Sequence, residues 1–166
     1  MITFGVLGAG RIGKVHASTI ARSGRARVAY VADAIADAAT SLAAQVGSKV
    51  GEVDAIIGAK DVDAILICTP TDTHAELIEK AALSGKAILC EKPVSLDVPR
   101  IEKCLAVADK AGVPLMIGFN RRHDPNFSAL EKRLRANEIG DIELVTVISR
   151  DPGPPPVSYI EGSGGL

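Results

Sequence analysis

The chain contains no tryptophan, two tyrosines and three phenylalanines in 166 residues, so alanine, valine, isoleucine and leucine must fill its core. It has no excess of either charge. Nineteen Lys and Arg stand against twenty Asp and Glu, with no basic run, which argues against a nucleic-acid partner. No apolar run is long enough to cross a bilayer, and no membrane partner is expected. The opening stretch MITFGVLGAG carries neither a basic leader nor a cleavage site. Cysteine is scarce: Cys68, Cys90 and Cys104 are odd in number, sit in apolar contexts and lack metal-ligand spacing. They read as reduced core thiols, with no metal site implied. A cytoplasmic protein is expected, long enough for one full domain and the beginning of another.

What is present is a strict alternation of strands and helices. Apolar runs at 2–7, 28–32, 64–68, 87–90 and 115–118 read as strands. Helices are expected from 11 to 23, and from Ala36, Ala39, Ala43 and Val46 with Gly47 as the stop. The stretch 48–61 is ambiguous and is read as a short edge strand followed by a short helix over 53–57. Thr73 looks like a helix N-cap, with Glu76 three residues on completing a capping box. Leu77, Ile78, Ala81 and Ala82 form that helix's inner stripe. Ile101, Cys104, Leu105 and Ala108 face inward from the next. Phe127, Leu130 and Leu134 mark a further helix, closed near Gly140, and 142–149 reads as a strand. Strands and helices in rotation imply right-handed crossovers and a doubly wound parallel sheet of the α/β class.

Gly8-x-Gly10-x-x-Gly13 lies between the first strand and the first helix. The first glycine permits a tight turn and the second admits a pyrophosphate to the backbone. The third allows close packing of helix on strand, with helix N–H groups aimed at phosphate. Alone the pattern is weak, since glycine-rich turns are common. Here Asp33 follows twenty residues after Gly13, at the end of strand two, where a carboxylate accepts from a ribose diol. No Arg or Lys follows Asp33 until Lys49, so nothing local awaits a 2′-phosphate and NAD is the expected cofactor.

Open α/β sheets bind ligands beyond the carboxyl ends of their strands, and three further exits here carry polar groups. The fourth strand leads into CTPTDTH (68–74), the fifth into Glu91-Lys92-Pro93, the sixth into GFNRRHD (118–124). Charges beside a doubly buried strand are costly unless they project into water or onto a ligand. An ion pair at a strand terminus is the bland account of Glu91 and Lys92. For Arg121 and Arg122 a packed and an exposed arginine weigh equally with a site. His16 and His123 read as structural histidines. His74, on the first turn of a helix facing the crevice, is open between the two.

With the glycine turn, Asp33, CTPTDTH, EKP and GFNRRHDPNF in this order, essentially the whole chain resembles the Gfo/Idh/MocA oxidoreductases, and most closely their inositol-oxidising branch. EKP is the family's most specific mark. The resemblance implies a Rossmann-type domain over 1–120, then a connecting helix and the start of a truncated α+β substrate and oligomerisation domain over 121–166. It implies that Gly8, Gly10, Arg11, Ile12, Gly13 and Asp33 bind NAD, with Thr69, Pro70, Thr71, His74, Glu91 and Arg121 along the cofactor. Lys92 stands beside the nicotinamide and the substrate hydroxyl, Arg122 reaches the substrate and Asp151 lines its pocket. Glu91 tethers the ammonium or faces the nicotinamide, and members often carry a cis bond before this proline. Physically, a cationic donor held against a secondary hydroxyl stabilises alkoxide character as hydride departs.

The oxidation also needs a base for the hydroxyl proton. The family supplies it as the His of an Asp-x-x-x-His helix, which none of the three histidines here matches. The chain is therefore expected to be the cofactor part of a longer enzyme, NAD-competent but inactive alone, with an edge strand prone to association. The implied substrate is a small polyol such as myo-inositol, and the full protein a homo-oligomer, a tetramer. A related sugar or cyclitol dehydrogenase and a non-catalytic NAD-binding regulator are the competing readings. The downstream Asp-x-x-x-His would separate the last of these.

Overall fold

The computed structural model describes residues 1–150, 153–155, 157 and 160. Two units make up the chain, Met1–Gly118 and the segment from Phe119 onward. In the first, β1 (Ile2–Leu7), β2 (Ala26–Ala32), β3 (Lys49–Val50), β4 (Ala64–Ile67), β5 (Ala87–Cys90) and β6 (Leu115–Ile117) form one sheet. The order is β3-β2-β1-β4-β5-β6, with every pairing parallel. This is the doubly wound arrangement, with its reversal between β1 and β4.

Side-chain alternation along the central strands feeds two cores. Val6, Val31 and Leu66 join Ala17 of α1 (Arg11–Arg22) and Leu42 of α2 (Ala36–Val46) on one face. Leu7, Ile65, Ile67 and Cys90 join Ile56 of α3 (Val53–Gly58), Ile78 of α4 (Thr71–Leu83) and Cys104 of α5 (Val98–Ala111) on the other. β4 is buried along its whole length, as a central parallel strand requires. Among the described residues no helix is long and apolar enough to cross a membrane.

Register brings the strand exits level. Leu7 lies opposite Ala32 and Ile67, Ile67 opposite Cys90, and Cys90 opposite Ile117. The main chain then bonds onward step by step. Gly8 donates to Ala32 O at 2.8 Å, Cys68 to Leu7 O at 2.7 Å, Glu91 to Ile67 O at 2.9 Å and Gly118 to Cys90 O at 2.8 Å. Gly8, Asp33, Cys68, Glu91 and Gly118 therefore leave the sheet along one edge.

Three expectations are corrected. Thr73 is not an N-cap: α4 begins at Thr71, behind Pro70 at φ −60°. The proline supplies the extended residue before the helix, so Thr73 falls inside the first turn and its N–H goes to Pro70 O at 3.1 Å. Glu76 pairs instead with Lys80 at 3.1 Å. Leu105 is 38% exposed, because α5 turns its inner stripe toward Val107 beside Ile101, Cys104 and Ala108. Residues 142–149 form no strand, for a strand needs a ladder partner and none is paired to them among the described residues.

The second unit opens with a 3₁₀ turn, Asn120–His123, and α6, Pro125–Arg135. The Asp124 carboxylate caps α6, accepting from the N–H groups of Asn126 at 2.8 Å and Phe127 at 3.2 Å.

Candidate functional site

The glycine turn is shaped by contacts that exclude any side chain. Gly8 holds φ +99°, and a Cβ there would run into the carbonyl of Cys68. A Cβ on Gly13 would strike the carbonyl oxygen of Gly8. Gly10 is different: nothing lies within 4 Å of where its Cβ would be. Gly10 is the N-cap residue of α1, whose first turn has no side-chain cap. Uncapped N–H groups beside open space suit a phosphate group. Of the two residues between, Arg11 is exposed and Ile12 packs into the core.

Asp33 is tied to this turn. Its Oδ2 accepts from the N–H of Ala9 at 2.6 Å and its Oδ1 from that of Ile35 at 2.8 Å. Each oxygen keeps a further lone pair, so the carboxylate is oriented yet still able to accept from a diol. Glycine turn, uncapped helix and fixed acid fit a dinucleotide with a free ribose diol.

In the loop after β4, Thr69 Oγ1 meets Thr73 Oγ1 at 2.6 Å, with Pro70 exposed and Thr71 half-buried. His74 does not face the crevice. It is 2% exposed, and its ring nitrogens lie 2.7 Å from Pro93 O and 2.8 Å from Thr69 O. Cys68, at the same exit, is no nucleophile, because burial foremost and the Glu91 charge next push its thiol up to about 12. Burial raises Cys90 and Cys104 as well, and all three thiols are free.

At the β5 exit the Lys92–Pro93 peptide is cis. Lys92 is exposed, and its Nζ has no hydrogen-bond or ion-pair partner among the described residues. Of the two roles expected for Glu91, the tether to the Lys92 ammonium is not formed. The Glu91 carboxylate instead meets His16 Nε2 at 2.7 Å and accepts from the N–H of Lys92 at 3.3 Å. It also fills the space beside Gly118, where a Cβ would come within 2.9 Å of Oε1. Seventy-five residues separate His16 from Glu91, and no local pattern in the sequence signals that pair.

Arg121, Arg122 and His123 belong to the second unit. The Arg121 guanidinium sits 5.3 Å from the centroid of the Phe127 ring, Arg122 is exposed, and its carbonyl accepts from Ser128 Oγ at 3.3 Å. His123, expected to be satisfied within the structure, is exposed. Asp151 lies outside the described residues.

Comparison with known proteins agrees with this geometry. The profile of the Gfo/Idh/MocA oxidoreductase family, NAD-binding Rossmann fold, matches residues 2–119. An inositol 2-dehydrogenase of Rhizobium meliloti is 53% identical over 165 residues, which cover 99% of this chain and 50% of that protein. The crystal structure of a myo-inositol dehydrogenase from Corynebacterium glutamicum superposes with a TM-score of 0.92 at 40% identity, covering 99% of this chain and 50% of that one. A scyllo-inositol dehydrogenase from Lactobacillus casei, with bound NAD(H) and scyllo-inositol, gives 0.80 at 28% identity over 85% of this chain and 43% of that one. The chain spans about half the length of the curated relatives it matches.

Proposed function

Since the chain belongs to the Gfo/Idh/MocA oxidoreductase family, we propose that the whole protein oxidises myo-inositol to its 2-keto form, with NAD as hydride acceptor. The first unit is the family's NAD-binding Rossmann domain. Gly8, Gly10 and Gly13, with the N–H groups of Arg11 and Ile12, hold the pyrophosphate, and Asp33 holds the ribose diol. Thr69, Pro70 and Thr71 run along the cofactor, with Glu91 as a further neighbour. Residues 121–166 lead into a substrate domain, and Arg121, Arg122 and Asp151 are assigned to cofactor and polyol on the family resemblance alone.

Lys92 polarises the reacting hydroxyl. One observation carries this: an ammonium with no partner among the described residues leaves the same sheet edge as the glycine turn. In a dehydrated site such a donor stabilises developing alkoxide charge. His16 is committed to Glu91, and His74 to two carbonyls. None of the three histidines, His123 included, falls in the Asp-x-x-x-His pattern that the family resemblance implies, so the base that takes the hydroxyl proton is assigned to a histidine of that pattern in the remaining length of the protein. The reading sets the enzyme in the cytoplasm, where three free buried thiols stay reduced. It is expected to run as a tetramer in light scattering.

The test is NADH formation by the full-length protein with myo-inositol, then with Lys92→Ala. The variant should lose roughly 100-fold or more in kcat; undiminished turnover removes Lys92 from the mechanism. The Lactobacillus relative, with scyllo-inositol bound, makes another cyclitol the second reading. Higher kcat/KM for scyllo-inositol in a substrate panel would move the assignment there.

A further inference from the structure

The Lys92 ammonium has no partner among the described residues, yet both residues flanking it are held by histidines from other elements. On one side Glu91 is gripped by His16 of α1, Nε2 to Oε1 at 2.7 Å. On the other, Pro93 O lies 2.7 Å from Nδ1 of His74, on α4. The opposite nitrogen of His74 is 2.8 Å from Thr69 O, in the loop expected along the cofactor. His16 stands one turn beyond Gly13, on the helix whose N-terminus closes the glycine turn. The two bonds thus tie the Lys92 segment to the two cofactor-facing segments, one through each neighbour.

We propose that His16 and His74 are positioning residues that fix the Lys92 main chain against the dinucleotide turn and the β4 loop. Neither ring touches the reacting atoms. The inference rests on the reading of Lys92 as the polarising residue. The ring of His74 lies within hydrogen-bond distance of both segments, and a carbonyl oxygen only accepts, so a ring N–H donates to the carbonyl it holds. The Glu91 carboxylate, itself resting against Gly118, then serves as an anchor, not as a partner for the ammonium. A lysine on a flexible stem gains directional precision from a fixed backbone, and a displacement near 1 Å at a reacting centre costs about 100-fold in rate.

Four variants of the full-length enzyme test this: His16→Ala, His16→Gln, His74→Gln and Lys92→Ala. The His16 side chain is 29% exposed, so its removal opens no core cavity. His16→Ala and His74→Gln should each lower kcat roughly 10- to 100-fold. NAD affinity, set by Gly8 to Gly13 and Asp33, should stay within about twofold of the parent, roughly 0.4 kcal/mol. His16→Gln keeps a donor for Glu91 and should recover most of the loss. Unchanged kcat in His16→Ala or in a folded His74→Gln, or loss of NAD affinity in step with kcat, overturns the proposal. If His74→Gln does not fold, the two His16 variants decide. A Lys92→Ala enzyme of full activity refutes the Lys92 assignment itself. An inactive Lys92→Ala beside fully active histidine variants refutes the positioning role alone.

Discussion

In the first unit β1, β2, β4 and β5 carry side chains sealed from water, among them Val6, Leu7, Val31, Ile65, Ile67 and Cys90. From Phe119 onward no described residue is buried. Yet the second unit is not poor in apolar side chains: Leu144 is 84% exposed and Val147 79%. The difference lies in layers, not in composition. Strands of the first unit find helices on both faces, whereas on α6 the Phe127 ring has the Arg121 guanidinium beside it and no helix or sheet layer is described over α6 or residues 142–149. Periodicity nominates a face for burial, and only a second layer buries it.

Paired substitutions give the comparison its sharpest test. Ile78→Ala, in the centre of one core, should cost about 2–5 kcal/mol, and Leu144→Ala no more than about 0.5 kcal/mol. Urea midpoints at unchanged m-value measure both, and equal shifts would erase the distinction between the units. Next in size, the glycine turn divides its own residues. Gly13→Ala, which forces a side chain onto the Gly8 carbonyl, should destabilise by about 1–3 kcal/mol. Gly10→Ala should leave the midpoint within about 0.5 kcal/mol and weaken NAD binding by roughly tenfold, about 1.4 kcal/mol, in calorimetry. An unfolded Gly10→Ala would contradict the open space beside it.

Ion pairs give the smallest contrast. The Arg100 guanidinium donates to both oxygens of Glu79, at 2.5 and 2.9 Å, with the two side chains only 31% and 20% exposed. Glu131 and Arg135 of α6 pair at 2.7 Å with far more surface in water, 61% and 78%. Glu79→Ala should cost about 0.5–1 kcal/mol at neutral pH and Glu131→Ala at most about 0.5 kcal/mol. The hydrogen bonds from Arg100 lower the Glu79 pKa below the ordinary glutamate value, against opposing desolvation. A lowered folded pKa means the stabilisation is present above the unfolded value and lost as pH falls through the folded one. The gap between Glu79→Ala and its parent should therefore close on acidification. A gap that widens would reverse the sign.

Much of the first unit was legible because its signals are local. The glycine spacing, Asp33 at a strand end and the alternating elements each lie within a short window and appear where the pattern places them. The short strand and helix within 48–61 also formed, as Lys49–Val50 and Val53–Gly58. Failures came where a neighbour decided the outcome. Pro70 started α4 ahead of Thr73, and packing rotated α5 away from Leu105. Glu91 turned from Lys92 to a histidine on another helix. The place of His74 on the first turn of α4 leaves it open between a site and a structural role, and its burial is decided by two carbonyls, Thr69 O in the preceding loop and Pro93 O nineteen residues on.

The bond from the Ala9 N–H to Asp33 has a practical consequence for anyone redesigning coenzyme choice. Position 33 is the natural place to relax discrimination between the two nicotinamide dinucleotides, but its carboxylate also braces the turn proposed to hold the phosphates. Asp33→Ala would admit a bulkier ribose and, by the same stroke, slacken the grip it was meant to retarget. Asp33→Asn keeps an oxygen for Ala9. A successful redesign starts from that replacement brace and adds a cation afterwards.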